Sequence, residues 1–195
     1  MNRLLGGTLR AEHLGKRVKL QGWVHRRRDL GGLTFLQIRD RSGVVQVVVR
    51  PEDHPEAAGV LDPVRLEWVV EIEGTVTARD PVAVNPDMET GEIEVVCDRA
   101  QVLGPAEPLP FLPDTPVDEV TEETRLKYRY LDLRRSDLQR NLILRDQITL
   151  EILNYFHAAG FVHIETPILT RSTPEGARDY LVPSRIRQGR FYALP

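Results

Sequence analysis

At 195 residues, 41% of them hydrophobic, the chain can bury a core and is long enough for one large domain, or for one small domain and part of another. No apolar run approaches the ~20 residues of a membrane-spanning helix and MNRLLGGTLRAEHLG lacks the hydrophobic centre of a signal peptide, so a cytoplasmic chain is expected. The net charge of −3 conceals a segregation: residues 1–50 carry +8 and residues 51–120 carry −14, which fits a polyanion met by the first fifty residues or a surface balanced within the fold.

The first hundred residues alternate short β-rich runs with turn signals. VKLQGWVHRR, LTFLQIRD, VVQVVV, EWVVEIEGTVTA and EIEVVCDRAQVLG make five candidate strands, with PEDHPEAAGVLDPVRL, the longest connection, between the third and fourth. This pattern predicts an all-β OB-fold barrel over residues 1–104, with an SH3-like barrel as the structural rival. Prolines at 105, 108, 110, 113 and 116 then supply neither sheet donors nor helical freedom, so residues 105–120 are expected to form a linker or hinge.

From Thr121 the texture turns helical. Thr121 before two acids is a cap signal, and Ser136 with Asp137 is a second. Leu138, Leu142, Ile148, Ile152, Tyr155 and Phe156 recur at helical spacing, and Gly160 stops the run. FVHIETPIL reads as a strand ended by Pro167. Residues 121–195 therefore open an α+β domain that they do not complete, and the chain is expected to be the N-terminal part of a longer protein.

Cys97 is the only cysteine, which rules out an internal disulfide or thiolate metal site, and the histidines at 13, 25, 54, 157 and 163 have no spacing that gathers ligands. No metal site is expected within the chain.

Within LTFLQIRD, Phe35 shares its strand face with Gln37 and Arg39, whereas a core phenylalanine usually has apolar neighbours two residues away. Two readings stand: a platform for an exposed base, or part of the barrel's core rim. Gln46, the one polar residue of VVQVVV, can donate to and accept from a base edge, and Glu92 or Glu94 can accept from a base amino group. Arg26, Arg27 and Arg28 leave the barrel on alternate sides beside a glycine turn, so at least one is placed for a phosphate, unless the run is simply a solvated face.

GWVHRRRDLGGLTFLQIRDRSGVVQVV, ETRLKYRYLDLRR, GFVHIETPILTRSTPEGARDYLVPSR and FYALP, in that order, resemble the bacterial-type aspartyl-tRNA synthetases, a class II aminoacyl-tRNA synthetase family. The resemblance implies an anticodon-binding OB-fold, a hinge, and a class II catalytic domain on an antiparallel sheet. It implies that Phe35, Gln46 and Glu94 contact anticodon bases and that Arg28 makes a nearby tRNA contact. It places Pro167 at the motif 1 homodimer interface and Glu175 of STPEGARDYLVP, otherwise a solvated loop acid, against the α-ammonium of L-aspartate. Leu30 after RRRD resembles members that discriminate against the asparagine tRNA. The implied activity is an ATP- and Mg2+-dependent activation of L-aspartate to aspartyl-adenylate, followed by transfer to the 3′ end of its tRNA. Motifs 2 and 3 lie beyond Pro195, so no catalytic residue is assigned within the chain and the 195 residues alone are expected to be inactive. A non-catalytic tRNA-binding module and a related asparaginyl- or lysyl-tRNA synthetase are the alternatives.

Overall fold

Period-two alternation of apolar and polar residues is what the first hundred residues use to build their sheet. A computed structural model describes residues 3–172 and 179–194. It divides into two compact units, Met1–Leu112 and Pro113–Pro195.

The first unit holds β1 (Arg17–Leu30), β2 (Leu33–Asp40), β3 (Gly43–Val49), α1 (Pro55–Leu61), β4 (Val69–Ala78) and β5 (Ile93–Gly104). The strands close into a barrel in the order β1-β2-β3-β5-β4. β1 serves two neighbours: Arg17–Trp23 pairs with β4, and from Trp23 to Leu30 it pairs with β2, the register shifting between Val24 and Arg26. The β3–β5 contact is parallel and the other pairings are antiparallel. This closure is the OB-fold rather than its SH3-like rival. The expected long connection carries α1, whose Ala57 and Leu61 are buried in the barrel core.

Inward positions fill the barrel: Val18, Leu20 and Val24 from β1, Leu36 and Ile38 from β2, Val45 and Val47 from β3, Ile72 and Val76 from β4, and Ile93, Val95 and Cys97 from β5. Burial pushes the Cys97 thiol up to about 12, so it packs as a small apolar group. The β1–β2 hairpin turns on Gly31 and Gly32 at φ 60° and 78°, the left-handed pair that a two-residue turn requires. At Gly74 the β4–β5 register shifts, and a Cβ there would lie 2.2 Å from the Val96 carbonyl oxygen. Only glycine lets the two strands approach this closely.

The second unit holds α2 (Glu122–Lys127), α3 (Arg129–Asp132), α4 (Ser136–Ala158), β6 (Tyr180–Pro183) and β7 (Phe191–Leu194), the last two forming an antiparallel pair. Thr121 caps α2 as expected, its Oγ1 accepting from Thr124 N–H at 3.3 Å. Ser136 does not cap α4. The helix starts one residue earlier than the cap pattern implies, so extended Arg135 takes the N-cap place and Ser136 falls inside the helix.

The strand expected at FVHIETPIL does not form: residues 161–167 have no ladder partner among the described residues, and Thr170 alone bridges to Ala193. A strand needs a neighbour to receive its hydrogen bonds, and β propensity does not supply one. Pro167 lies exposed in this segment. The apolar residues of α4 are also exposed, with Leu142 at 47% and Phe156 at 48%.

Candidate nucleic-acid interface

The β1–β2 hairpin, the middle of β3 and the β4–β5 connection enclose a cleft of about 600 Å³ on the side of the barrel. Strand register assembles it. Arg28 pairs with Phe35 across β1 and β2, Phe35 with Val48 across β2 and β3, and Gln46 neighbours Val47, which pairs in parallel with Val95 next to Glu94. Arg28, Leu30, Phe35 and Gln46 all line the cleft. Glu94 joins them through Gln46, whose Nε2 donates to Glu94 Oε2 at 2.8 Å.

Phe35 is half-buried and lies outside the barrel's buried core and the hydrophobics packed on it. Phe35 is thus not part of the inner core, and it lines the cleft. Gln46 is 5% exposed, so its amide is held by Glu94 rather than free to rotate in water. Leu30, at the hairpin tip, is 74% exposed.

Of the three consecutive arginines, Arg27 and Arg28 divide by role. Arg27 turns inward and its Nη1 donates to the carbonyls of Leu61 at 2.9 Å and Asp62 at 2.7 Å, satisfying the C-terminal end of α1. Its Nε also meets Asp29 at 3.2 Å. Asp29 accepts from Thr34 Oγ1 at 2.7 Å, and that bond, followed by Arg27, holds its carboxyl below the usual carboxylate range. The hairpin is thus pinned from its base. Arg28 is exposed and lines the cleft.

Four cleft residues were not foreseen: Asp29 from the hairpin, and Arg79, Ala83 and Asn85 from the β4–β5 connection. Arg79 left one faint trace in the sequence, as one of only three cations in the strongly acidic stretch 51–120. Nothing in local pattern places that connection beside β2 and β3, because only barrel closure does so.

In sum the cleft offers an aromatic face, an amide tied to a carboxylate, and guanidinium groups. That is the equipment for stacking an unpaired base and reading its edge. Among the described residues no cluster of three or more His, Cys, Asp or Glu could hold a metal ion. No helix is long and apolar enough to cross a membrane among the described residues. Glu175 lies outside the described residues.

Residues 18–103 match the OB-fold nucleic acid binding domain family, and residues 121–195 match the class II tRNA synthetases (D, K and N). The chain is 52% identical over 193 residues to the aspartate–tRNA ligase of Oceanobacillus iheyensis, covering 99% of this chain and 32% of that protein. The chain belongs to the aspartate–tRNA ligase family.

Within that family it is also 51% identical to the aspartate–tRNA ligase of Staphylococcus carnosus and 54% identical to the aspartate–tRNA(Asp/Asn) ligase of Natranaerobius thermophilus. Each match covers 97% of this chain and 32% of the relative. The chain thus spans about a third of the length of these aspartate–tRNA ligases. In fold it is similar to the asparaginyl-tRNA synthetase from Pyrococcus horikoshii complexed with asparaginyl-adenylate. That likeness has a TM-score of 0.82 at 23% identity and covers all of this chain and 42% of the other.

Proposed function

We propose that the chain is the anticodon-reading and motif 1 portion of an aspartate–tRNA ligase. The parent enzyme activates L-aspartate on ATP with Mg2+ and passes the aspartyl group to the 3′ end of its tRNA. The observation that carries this reading is the cleft in which Phe35, Gln46 and Arg28 meet, with Glu94 tied to Gln46, on a barrel whose family binds nucleic acid. Phe35 stacks on one anticodon base, Gln46 and Glu94 read base edges, and Arg28 takes a neighbouring phosphate or base.

Leu30 sits at the cleft's rim, where it favours the aspartate tRNA over the asparagine tRNA. The exposed apolar residues of α4, with Pro167 after it, form the homodimer surface of motif 1. Glu175 receives the α-ammonium of aspartate, which a carboxylate binds through charge-assisted hydrogen bonds. The parent enzyme acts in the cytoplasm. ATP and Mg2+ are held by parts of the parent enzyme outside this chain.

The test is ATP–pyrophosphate exchange. The longer protein that contains this chain is expected to exchange only when L-aspartate is supplied, and the 195 residues alone are expected to give none. Exchange driven by asparagine or lysine, or exchange by the chain alone, would overturn the reading.

A further inference from the structure

Among the described residues two side chains carry sulfur, Met88 and Cys97, and they differ in how an oxidant meets them. Cys97 is fully buried in the barrel core, and burial pushes its thiol up to about 12, so the reactive thiolate is absent near neutral pH. Met88 is half-buried and lines a cavity of about 220 Å³ with Gly7, Ser42 and the exposed acids Asp87 and Glu89. A thioether needs no deprotonation to react, so access to its sulfur decides.

Met88 sits in a tight turn of the β4–β5 connection. Its main-chain N–H donates to the Asn85 carbonyl at 3.2 Å, Gly91 N–H donates to the Met88 carbonyl at 2.9 Å, and Asn85 N–H donates to the Gly91 carbonyl at 3.2 Å. The side chain reaches β2, where Gln37 Nε2 donates to Met88 Sδ at 3.8 Å. Gln37 pairs directly with Gln46 across β2 and β3, and Asn85 lines the cleft with Phe35. One thioether therefore meets the strand neighbour of the Gln46 amide while its own turn supplies part of the cleft wall.

We propose that Met88 is a site of reversible oxidation by hydroperoxides, and that its sulfoxide weakens the barrel's hold on an anticodon loop. The sulfur lone pair attacks one peroxide oxygen as the O–O bond breaks, and sulfur gives up two electrons and keeps that oxygen. The proton moves from the transferred oxygen to the departing one, which leaves as water or an alcohol. The product is polar and chiral where the thioether was apolar and flexible. An N–H···O bond of about 2.9 Å along the present line from Gln37 would leave under ~1 Å for the sulfur–oxygen bond. An oxygen added toward Gln37 thus displaces that side chain or the turn. The consequence for binding rests on the reading of the cleft as an anticodon site, whereas the oxidation itself does not.

The experiment treats the 195-residue chain with hydrogen peroxide and locates the added oxygen by mass spectrometry of its peptides. The dissociation constant for the anticodon stem–loop of the aspartate tRNA is measured at fixed salt before and after. Met88 is expected to oxidise while the barrel stays folded, and the dissociation constant to rise by about 3-fold or more, the worth of one disturbed hydrogen bond. Methionine sulfoxide reductase with a thiol reductant should restore it. Met88→Leu, close in volume and without sulfur, should bind as the untreated chain does and keep its affinity after peroxide, which separates Met88 from Met1.

Met88 left reduced under conditions that oxidise Met1, an unchanged dissociation constant with Met88 fully oxidised, or an equal loss in peroxide-treated Met88→Leu would overturn the inference. If Met88→Leu does not fold, the reductase decides on the wild-type chain, and affinity that fails to return as the Met88 sulfoxide is reduced would overturn it. Equal affinity of the untreated chain for the intact loop and for the same loop with abasic anticodon positions removes the anticodon reading and the binding consequence together. A preference for the intact loop that survives full oxidation of Met88 at unchanged affinity removes this inference alone.

Discussion

Gln46 Nε2 and Glu94 Oε2 meet at 2.8 Å across the parallel β3–β5 closure of the barrel, so two residues distant in sequence act as one polar unit at the cleft. The bond fixes which end of the Gln46 amide faces Glu94 and leaves the other end for a ligand. Gln46→Ala should release Glu94 and weaken selectivity for one anticodon base by about 1–3 kcal/mol. Binding to loops varied at that base provides the check, and equal losses for all four bases would contradict it.

Phe35 lies at the cleft and outside the core, which separates binding from stability. Phe35→Ala should weaken binding of the anticodon loop by about 1–3 kcal/mol, the range for one aromatic stacking on one base. The thermal midpoint of the barrel should move little. A large fall in midpoint with unchanged affinity would return Phe35 to a packing role.

Arg27 and Arg28 are adjacent in sequence and opposite in task. Arg27 satisfies carbonyls at the end of α1, so Arg27→Ala should cost about 2 kcal/mol of stability, measurable by urea denaturation. Arg28→Ala should leave stability unchanged and reduce the slope of log affinity against log salt by about 0.7, the share of one contact to a single-stranded phosphate.

In the second unit the Asp132 carboxylate is fully buried among three arginines. Arg129 donates to its Oδ2, Arg125 Nη1 and Arg135 Nε lie 3.9 Å from Oδ1, and Arg135 Nη1 continues to the Thr115 carbonyl at 2.5 Å. Asp132→Asn removes the one carboxylate that lies near all three among the described residues, where Asp137, 3.6 Å from Arg135 Nε, meets Arg135 alone. The substitution should destabilise this unit by about 3–5 kcal/mol. The helical circular-dichroism transition in urea reports the loss, and an unshifted midpoint would contradict it.

On the outer face of β1 and β4, Lys19 Nζ lies 2.8 Å from Glu71 and 3.0 Å from Glu73, and Gln21 donates to Glu71 at 2.6 Å. The hydrogen bond from Lys19 is the main reason both carboxyls stand below their usual range. A carboxyl depressed on folding adds stability above its unfolded pKa and loses it as pH falls through the folded value. The stability gap between the wild-type chain and Glu71→Gln should therefore be present near neutral pH and shrink in acid. A gap independent of pH would contradict this.

Short β-rich runs bounded by turn signals made the five strands legible, whereas β3, buried at five successive positions, has no alternation from which its inward face could be read. Phe35 was legible through its polar companions Gln37 and Arg39. Longer-range features were not. Arg79 enters the cleft only when β4 and β5 close the barrel, and Arg27 turns away from it only because α1 forms below. The missing strand at residues 161–167 and the helix start at Ser136 mark the same limit, since local propensity names a candidate and a partner decides it. The role of Glu175 rests on the sequence resemblance, as the residue lies outside the described part of the chain.

The most direct test of the central claim removes the bases and keeps the phosphates. The dissociation constant of the 195-residue chain is measured at fixed salt for the anticodon stem–loop of the aspartate tRNA and for the same loop with abasic anticodon positions. Base reading at the Phe35–Gln46 cleft predicts that the abasic loop binds at least about 10-fold more weakly, in line with stacking on an aromatic platform. Equal affinity for the two loops would mean that the chain holds only the backbone, and the account would be wrong.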